Sequence, residues 1–121
     1  IIEGQGSLFH PSFAGVSLGL IHGAQPTDLV LCHEPTRTHM RGLPDFPLPG
    51  IMECIDSNLN AARIVNSRVK FRGIAINSSE VKEDQRQYLF EELQKETGLF
   101  VFDPLKTGIE KFASNLLEKN Q

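Results

Sequence analysis

Residues 28–32 have the sequence DLVLC, and residues 71–77 have the sequence FRGIAIN. The first is a continuous apolar run of the kind found in parallel strands that are buried on both faces. The second has the character of the next strand along the chain. Strand-like and helical patterns alternate around these two segments. The alternation predicts an α/β fold with three layers, in which helices cover both faces of a parallel sheet.

Helical patterns lie between the predicted strands. Residues 13–22 are apolar and contain glycine, which predicts a short helix packed closely on the sheet. A third helix is predicted between Ser79, which can cap it, and Gly98, where it ends. The second helix is indicated by four apolar residues at helical spacing, Met52, Ile55, Leu59 and Ala62.

A strand and a helix are also predicted at the end of the chain, and the end of a strand at its start. Residues 99–102, LFVF, predict the fourth strand, and Thr107 and Glu110 can form a capping box for the last helix. Ile1 and Ile2 have the character of the end of a buried strand. We therefore expect the chain to be a piece of a longer polypeptide, with half of a ligand site missing.

The composition is that of one globular domain spanning residues 1–121, with 40% hydrophobic and 22% charged residues. No apolar run approaches the roughly 18–20 residues that cross a bilayer, so no membrane partner is expected. The formal net charge of -3 gives no general attraction to nucleic acid. Cys32 and Cys54 form no CxxC motif, and we interpret them as reduced core thiols of a cytoplasmic protein.

Polar residues follow each of the four predicted strands, and ligands of open parallel sheets bind beyond the carboxyl ends of the strands. After the first strand, Glu3 can hold magnesium or its water shell, or it can cap a helix. Gly4 and Gly6 would let the backbone approach a ligand, or they only turn the chain. After the third strand, Asn77 can bind a nucleobase edge or cap the next helix. Asp103 follows the fourth strand.

The segment from residue 33 to residue 50 is long and irregular in pattern, which is typical of a functional loop. Its two arginines, Arg37 and Arg41, can bind carboxylates or phosphates bidentately. The alternatives are a solvated basic loop and a subunit contact. His33 and His39 are candidate acid–base residues. His10 precedes a proline in a predicted turn and is a further candidate ligand contact.

Three motifs carry a resemblance to a known family: IEGQGSLFHP at 2–11, LVLCHEPTRTHMRGLPDFPLP at 29–49 and GIAINSS at 73–79. They resemble the C-terminal domain of the D-glutamate N-acetyltransferase-like (DgcN) family of bacterial and archaeal proteins. The resemblance implies a P-loop NTPase-like fold of which this chain is the C-terminal portion. It implies that the phosphate-loop half precedes the chain, since the sequence contains neither GxxxxGK[ST] nor GxGxxG.

The resemblance also implies roles for individual residues. The EGQGS stretch is similar to one in dethiobiotin synthetase, by which Glu3 would be a magnesium ligand and Asn77 would contact the base. The loop from His33 to Arg41 would face an acidic substrate, whose carboxylates Arg37 and Arg41 could bind. His10, the further candidate ligand contact named above, is expected to contact the same substrate. The remaining residues implied to contact the cofactor are Gly4, Gln5, Gly6 and Ser7.

Three functions follow from these observations. The preferred one is an acetyltransferase acting on D-glutamate or another acidic amino acid, with acetyl-CoA as donor and His33 or His39 as the base. The second is a carboxylate ligase of the dethiobiotin synthetase type that uses ATP and magnesium. The third is a non-catalytic nucleotide-binding or oligomerisation module. We expect a homo-oligomer, and we expect the isolated chain to be inactive without the phosphate loop.

Overall fold

The computed structural model describes residues 1–118, and the chain forms two compact units. The first unit comprises residues 1–29 and 38–70, and the second comprises residues 30–37 and those from 71 onwards. In chain order the elements are α1 (Ala14–Ala24), β1 (Asp28–His33), β2 (His39–Met40), β3 (Leu43–Pro47), α2 (Ile51–Arg63), β4 (Lys70–Ile76), α3 (Glu83–Thr97), β5 (Phe100–Phe102) and α4 (Glu110–Glu118).

Two helices and a hairpin make up the first unit. Helix α1 packs on α2, and the Nε2 atom of His22 lies 2.8 Å from the carbonyl oxygen of Ala61. Helix α2 was predicted from its apolar spacing and α1 from its apolar, glycine-containing sequence, and the structure confirms both helices. Helix α1 contains no Asp, Glu, Lys or Arg, and Val16 on its surface is 57% exposed.

Among residues 1–118, no helix is both long enough and apolar enough to cross a membrane.

The segment predicted as one irregular loop contains an antiparallel hairpin. In the pairing of β2 with β3, His39 lies opposite Pro47 and Met40 lies opposite Leu43. Two residues connect the strands, and the second of them, Gly42, has a φ of +76°. Glycine adopts this conformation without the steric cost that a Cβ would add, which explains the tight turn. The prediction of an irregular loop is therefore wrong for this part of the segment.

A three-stranded sheet in the order β1-β4-β5 forms the second unit, and β4 runs parallel to β5. This arrangement confirms the predicted parallel sheet with flanking helices. The burial predicted for β1 is wrong, since Val30 is 41% exposed and Cys32 is exposed as well. Alternate residues of a strand lie on one face, so Val30 and Cys32 lie on the same, exposed face of β1. Cys32 is consequently not a core thiol.

Helix α4 packs on the sheet through the stacked ring of Phe112, for which Gly73 leaves room. The ring centroid of Phe112 lies 4.5 Å from that of Phe102, and the two rings are stacked. A Cβ added to Gly73 would lie 2.8 Å from an atom of the Phe112 ring and 2.9 Å from the carbonyl oxygen of Phe100. The rest of this core consists of buried residues of β4, β5 and α3, namely Ile74, Ile76, Phe90, Leu93 and Val101.

Replacing Gly73 by alanine is expected to lower the free energy of unfolding by about 1–3 kcal/mol, because the backbone oxygen of Phe100 cannot yield to the added methyl group. Gly19 in α1 is the matched control, since in the described part of the chain a Cβ there would meet no neighbouring atom within 4 Å. Its replacement by alanine is expected to stabilise the protein by about 0.5–1 kcal/mol. Urea unfolding followed by circular dichroism measures both changes, and equal effects would contradict this packing.

The N-terminal ends of two helices differ from the sequence predictions. Helix α3 ends as predicted at Gly98, which has a φ of +69°, but its N-cap is Lys82 and not Ser79. The backbone N–H of Ser79 contributes to a bend, because it donates to the Asn77 side chain. The hydroxyl group of Thr107 bonds to Asp103 and does not form the predicted capping box.

The first two residues do not form the end of a strand. Ile1 and Ile2 are both exposed, and neither belongs to a strand of the described chain. A strand needs a neighbouring strand for its backbone hydrogen bonds, and none within residues 1–118 pairs with these two. The prediction that Glu3 directly follows a buried strand is therefore wrong.

Candidate functional site

An open cleft of about 390 Å³ lies in the second unit, where the chain leaves β1, β4 and β5. These are three of the four strand ends at which polar residues were expected to gather. Its volume is at the lower end of the roughly 300–1,000 Å³ that is typical of small-molecule sites. The cleft is lined by polar and apolar residues. The polar ones are His33, Glu34, Arg37, Asn77 and Asp103, and the others are Cys32, Ala75, Ile76, Pro104 and Leu105.

The turn after β1 places the carboxylate of Glu34 beside the guanidinium group of Arg37. The Oε1 atom of Glu34 accepts a hydrogen bond from the backbone N–H of Thr36 at 2.8 Å and another from the Thr36 hydroxyl group. The Oε2 atom of Glu34 lies 3.6 Å from the Nε atom of Arg37. The Arg37 side chain is 48% exposed, and it lines the cleft. The turn thus presents a guanidinium group to a ligand in the cleft.

Burial lowers the pKa of His33 at the end of β1. The charge of Glu34 acts in the opposite direction, and that of Arg37 adds to the lowering. The imidazole ring is therefore neutral at pH 7, which is the state that can accept a proton. A histidine in this state next to an arginine suits a site where a base acts on an anionic ligand.

Asn77 forms the edge of the cleft after β4. Its backbone N–H donates to the carbonyl oxygen of His33 at 2.9 Å, which joins the ends of β1 and β4. Its side-chain oxygen accepts from the N–H of Ser79 at 3.2 Å. The side chain is thus part of a local bend and does not cap α3, whose N-cap is Lys82. A contact between Asn77 and a nucleobase stays a prediction.

Asp103 connects the ends of β4 and β5 under the cleft. Its side chain is buried, and its Oδ2 atom accepts hydrogen bonds from both the backbone N–H and the hydroxyl group of Ser78. Its Oδ1 atom accepts from the backbone N–H groups of Leu105, at 2.8 Å, and Lys106, at 3.1 Å. Burial raises the pKa of Asp103, but these four bonds outweigh it, so that the pKa is lowered. The carboxylate is ionised at neutral pH.

Sequence reasoning placed Asp103 at a strand end but did not find its partners. Ser78 is fully buried, and its hydroxyl oxygen also accepts from the Nε atom of Arg86 at 2.8 Å. Arg86 lies in the first turns of α3, where its terminal nitrogen is 3.8 Å from the Glu83 carboxylate. The only signal in the sequence was a run of polar residues at two strand ends, because 25 residues separate Ser78 from Asp103.

Glu3 and the residues other than Asn77 that were predicted to contact a cofactor lie in the first unit, in the turns before α1. Glu3 is exposed, and Gly4 has open space beside its Cα atom. Gly6 has a φ of +68°, and a Cβ there would lie 2.6 Å from the Cβ of Phe13. The carbonyl oxygen of Gln5 accepts from the hydroxyl group of Ser17, and the Ser7 hydroxyl oxygen accepts from the N–H of Phe9. These contacts give Gly6, Gln5 and Ser7 structural roles, and their ligand roles stay predictions.

The remaining candidates, His10, His39 and Arg41, also lie in the first unit. His10 is buried against Phe13, and its Nδ1 atom accepts from the backbone N–H of Ser12 at 3.1 Å. The Nε2 atom of His10 lies 3.5 Å from the carbonyl oxygen of Arg41. The Nδ1 atom of His39 lies 2.9 Å from the carbonyl oxygen of Met40. The sequence predicted one cluster of His33, Arg37, His39 and Arg41, whereas the cleft includes only the first two.

Magnesium was predicted to bind at Glu3. Within residues 1–118, no three side chains of His, Cys, Asp or Glu lie together in a way that could hold a metal ion. Magnesium is usually held by one or two carboxylates together with waters and the phosphates of a ligand. One exposed carboxylate therefore does not make a metal centre by itself, and metal binding at Glu3 stays a prediction.

Comparison with known proteins places the chain in a family. Residues 1–113 match the family described as "Domain of unknown function (DUF1611_C) P-loop domain". A D-glutamate N-acetyltransferase of Pseudoalteromonas sp is 48% identical over 116 residues, which are 96% of this chain and 35% of that protein. Another of the same name, from Tritonibacter scottomollicae, is 46% identical over 108 residues, which are 89% of this chain and 32% of that protein.

A solved structure shows the same fold. The crystal structure of a DUF1611 family protein from Anabaena variabilis matches 97% of this chain and 34% of its own chain, with 34% identity and a TM-score of 0.86. The chain thus spans about a third of the length of these relatives. The chain belongs to the DUF1611 C-terminal P-loop domain family.

Proposed function

We propose that the chain is a C-terminal part of an acetyltransferase that acts on D-glutamate, and that the cleft of the second unit binds the acidic substrate. The names of the two curated relatives support the reaction. The observation that carries the proposal is the cleft itself, where a guanidinium group and a neutral imidazole ring line one small-molecule volume. Substrate binding by a cation and proton removal by a base are the two tasks that this reaction requires.

Arg37 binds a carboxylate of the substrate in this proposal. A guanidinium group matches a carboxylate with two parallel hydrogen bonds, which fixes the orientation of the ligand as well as its position. Arg37 is half-exposed at the cleft, so a ligand can reach it without rearrangement of the fold. The apolar residues Pro104 and Leu105 of the same cleft suit the methylene groups of an amino acid such as glutamate.

His33 acts as the base in the chemical step. The substrate amine loses a proton to the imidazole ring and attacks the carbonyl carbon of the acetyl thioester. A nitrogen–carbon bond forms, the carbon–sulfur bond breaks, and the departing thiolate takes up a proton. His33 suits this task because its lowered pKa leaves it unprotonated at neutral pH.

Acetyl-CoA is the donor in this proposal, and contacts between a phosphate-bearing ligand and the turn residues before α1 stay predictions. At Gly4 a Cβ would meet no other atom of residues 1–118 within 4 Å, which leaves room for a ligand beside its backbone. Gly6 leaves less room, because Phe13 occupies the space beside it. The assembly of a homo-oligomer and the inactivity of the isolated chain stay predictions.

Replacing Arg37 by glutamine in the full-length protein is expected to weaken D-glutamate binding about 10- to 100-fold, because a charged hydrogen-bonded pair is lost. Isothermal titration calorimetry with D-glutamate measures this change. The matched control is Arg68→Gln, at an exposed turn of the first unit, which is expected to leave the affinity unchanged. Unchanged binding by the Arg37 variant would contradict the assignment of the substrate site.

A further inference from the structure

The two carboxylate oxygens of Glu34 contact different residues. One oxygen is fixed by the Thr36 backbone N–H and hydroxyl group, and the other lies 3.6 Å from the Nε atom of Arg37. The backbone N–H of Arg37 also donates to the carbonyl oxygen of Glu34 at 3.4 Å. The acid and the arginine therefore belong to one short turn, and the bonds to Thr36 hold the carboxylate beside the guanidinium group.

The pairing of Glu34 with Arg37 is weak enough to be replaced. At 3.6 Å the ion pair is longer than a charge-assisted hydrogen bond, which is typically about 2.7–2.9 Å. Arg37 is half-exposed, and an exposed ion pair contributes little stability because water screens it. A ligand carboxylate that binds the guanidinium group with two hydrogen bonds has the better geometry. It must also approach the fixed negative charge of Glu34.

We propose that Glu34 is an internal competitor for Arg37, whose tethered carboxylate lowers the affinity of the cleft for anionic ligands. This inference rests on the proposed function, because it takes Arg37 as the group that binds the substrate carboxylate. The same effect applies to the product, which keeps the carboxylates of the substrate. Glu34 thereby favours release of an anionic product from a site that must also bind an anionic substrate.

A purely structural role for Glu34 predicts the opposite result. If its carboxylate only held Arg37 in a productive position, removing the charge would loosen the guanidinium group and weaken ligand binding. The sign of the change in affinity therefore separates the two roles. Glutamine suits the test, because its side-chain oxygen can still accept the hydrogen bonds from Thr36 while the charge is lost.

The experiment measures binding of D-glutamate and of N-acetyl-D-glutamate to the full-length protein by calorimetry, together with kcat and KM. For Glu34→Gln we expect about two- to five-fold tighter binding of both probes and a lower KM, with no increase in kcat. Glu34→Asp keeps the charge and is expected to gain less affinity for both probes than Glu34→Gln does. The control, Glu96→Gln on the exposed surface of α3, is expected to change neither affinity nor kinetics.

A double-mutant cycle completes the test. In an Arg37→Gln background, Glu34→Gln is expected to give a smaller gain in affinity than it does alone, because Arg37, the group for which Glu34 competes, is already absent. Unchanged or weaker binding by the Glu34→Gln single variant would overturn the inference and leave the proposed function intact, provided that Arg37→Gln weakens binding. If Arg37→Gln has no effect on binding, both the substrate site and this inference are wrong.

Discussion

Replacing His33 by glutamine is expected to lower kcat for acetylation of D-glutamate by about 10²- to 10⁴-fold, which is the usual contribution of a general base. The cause is the loss of the proposed base, to which the amine of the substrate would lose its proton. Glutamine can still form hydrogen bonds in the cleft, so the affinity for D-glutamate is expected to change little. A steady-state assay with acetyl-CoA and D-glutamate, together with calorimetry, separates these two effects.

The pH dependence follows from the lowered pKa of His33, caused by burial, opposed by Glu34 and assisted by Arg37. Asp103 also lines the cleft and is ionised at neutral pH. Activity is expected to rise with pH through a midpoint below the ordinary histidine value of about 6.5. The same group contributes stability that is fully present above that value and is lost as the pH falls through the folded-state pKa. His33→Gln is expected to remove both effects.

His39 provides the matched comparison, because the sequence alone did not separate the two histidines. His39 lies in the hairpin of the first unit, where its ring nitrogen is 2.9 Å from the carbonyl oxygen of Met40. We expect His39→Gln to keep kcat within about two-fold, since it does not line the cleft. A large loss of kcat in His39→Gln with normal activity in His33→Gln would transfer the base to His39.

Asp103→Asn is expected to lower the free energy of unfolding by about 3–5 kcal/mol. Both carboxylate oxygens accept hydrogen bonds, two from Ser78 and one each from the N–H groups of Leu105 and Lys106. The side-chain amide of asparagine has only one oxygen. Its NH₂ group must therefore face either the donors of Ser78 or those of Leu105 and Lys106. Buried donors then lack acceptors, and this costs about 1–3 kcal/mol for each group.

Urea unfolding at pH 7 measures this loss, with Asp56→Asn on the exposed side of α2 as the control. Ser78→Ala removes one of the four bonds but keeps the backbone donor, and we expect it to cost less than Asp103→Asn. Since the pKa of Asp103 is lowered, its contribution is present above the ordinary aspartate value of about 3.9 and is lost as the pH falls further. Equal stability of Asp103→Asn and Asp56→Asn would contradict the buried network.

The sequence predicted the regular elements well where a local pattern specifies them. The apolar spacing of α2, the apolar residues of β4 and the glycine at the end of α3 each depend on neighbours within a few positions. The hairpin of β2 and β3 was missed because each strand is short and three prolines, Pro44, Pro47 and Pro49, favour an irregular interpretation. The burial of β1 was misjudged because an apolar run does not reveal what covers each face.

The candidate site was predicted in part. The rule that ligands bind beyond the strand ends indicated His33, Asn77 and Asp103 as candidates, and all three line the cleft. The Asp103–Ser78–Arg86 network was not predictable, because the hydrogen bonds join three elements and each residue alone is an ordinary polar residue. The pairing of Glu34 with Arg37 is local, but its geometry depends on the turn that Thr36 closes.

The crystal structure of the full-length protein with D-glutamate bound tests the central claim most directly. The account predicts that D-glutamate occupies the cleft of the second unit, with one carboxylate about 3 Å from the guanidinium group of Arg37. Its amino group is expected to lie within hydrogen-bond distance of the His33 ring, directly or through one water. D-glutamate bound elsewhere, with neither Arg37 nor His33 in contact with it, would contradict the account.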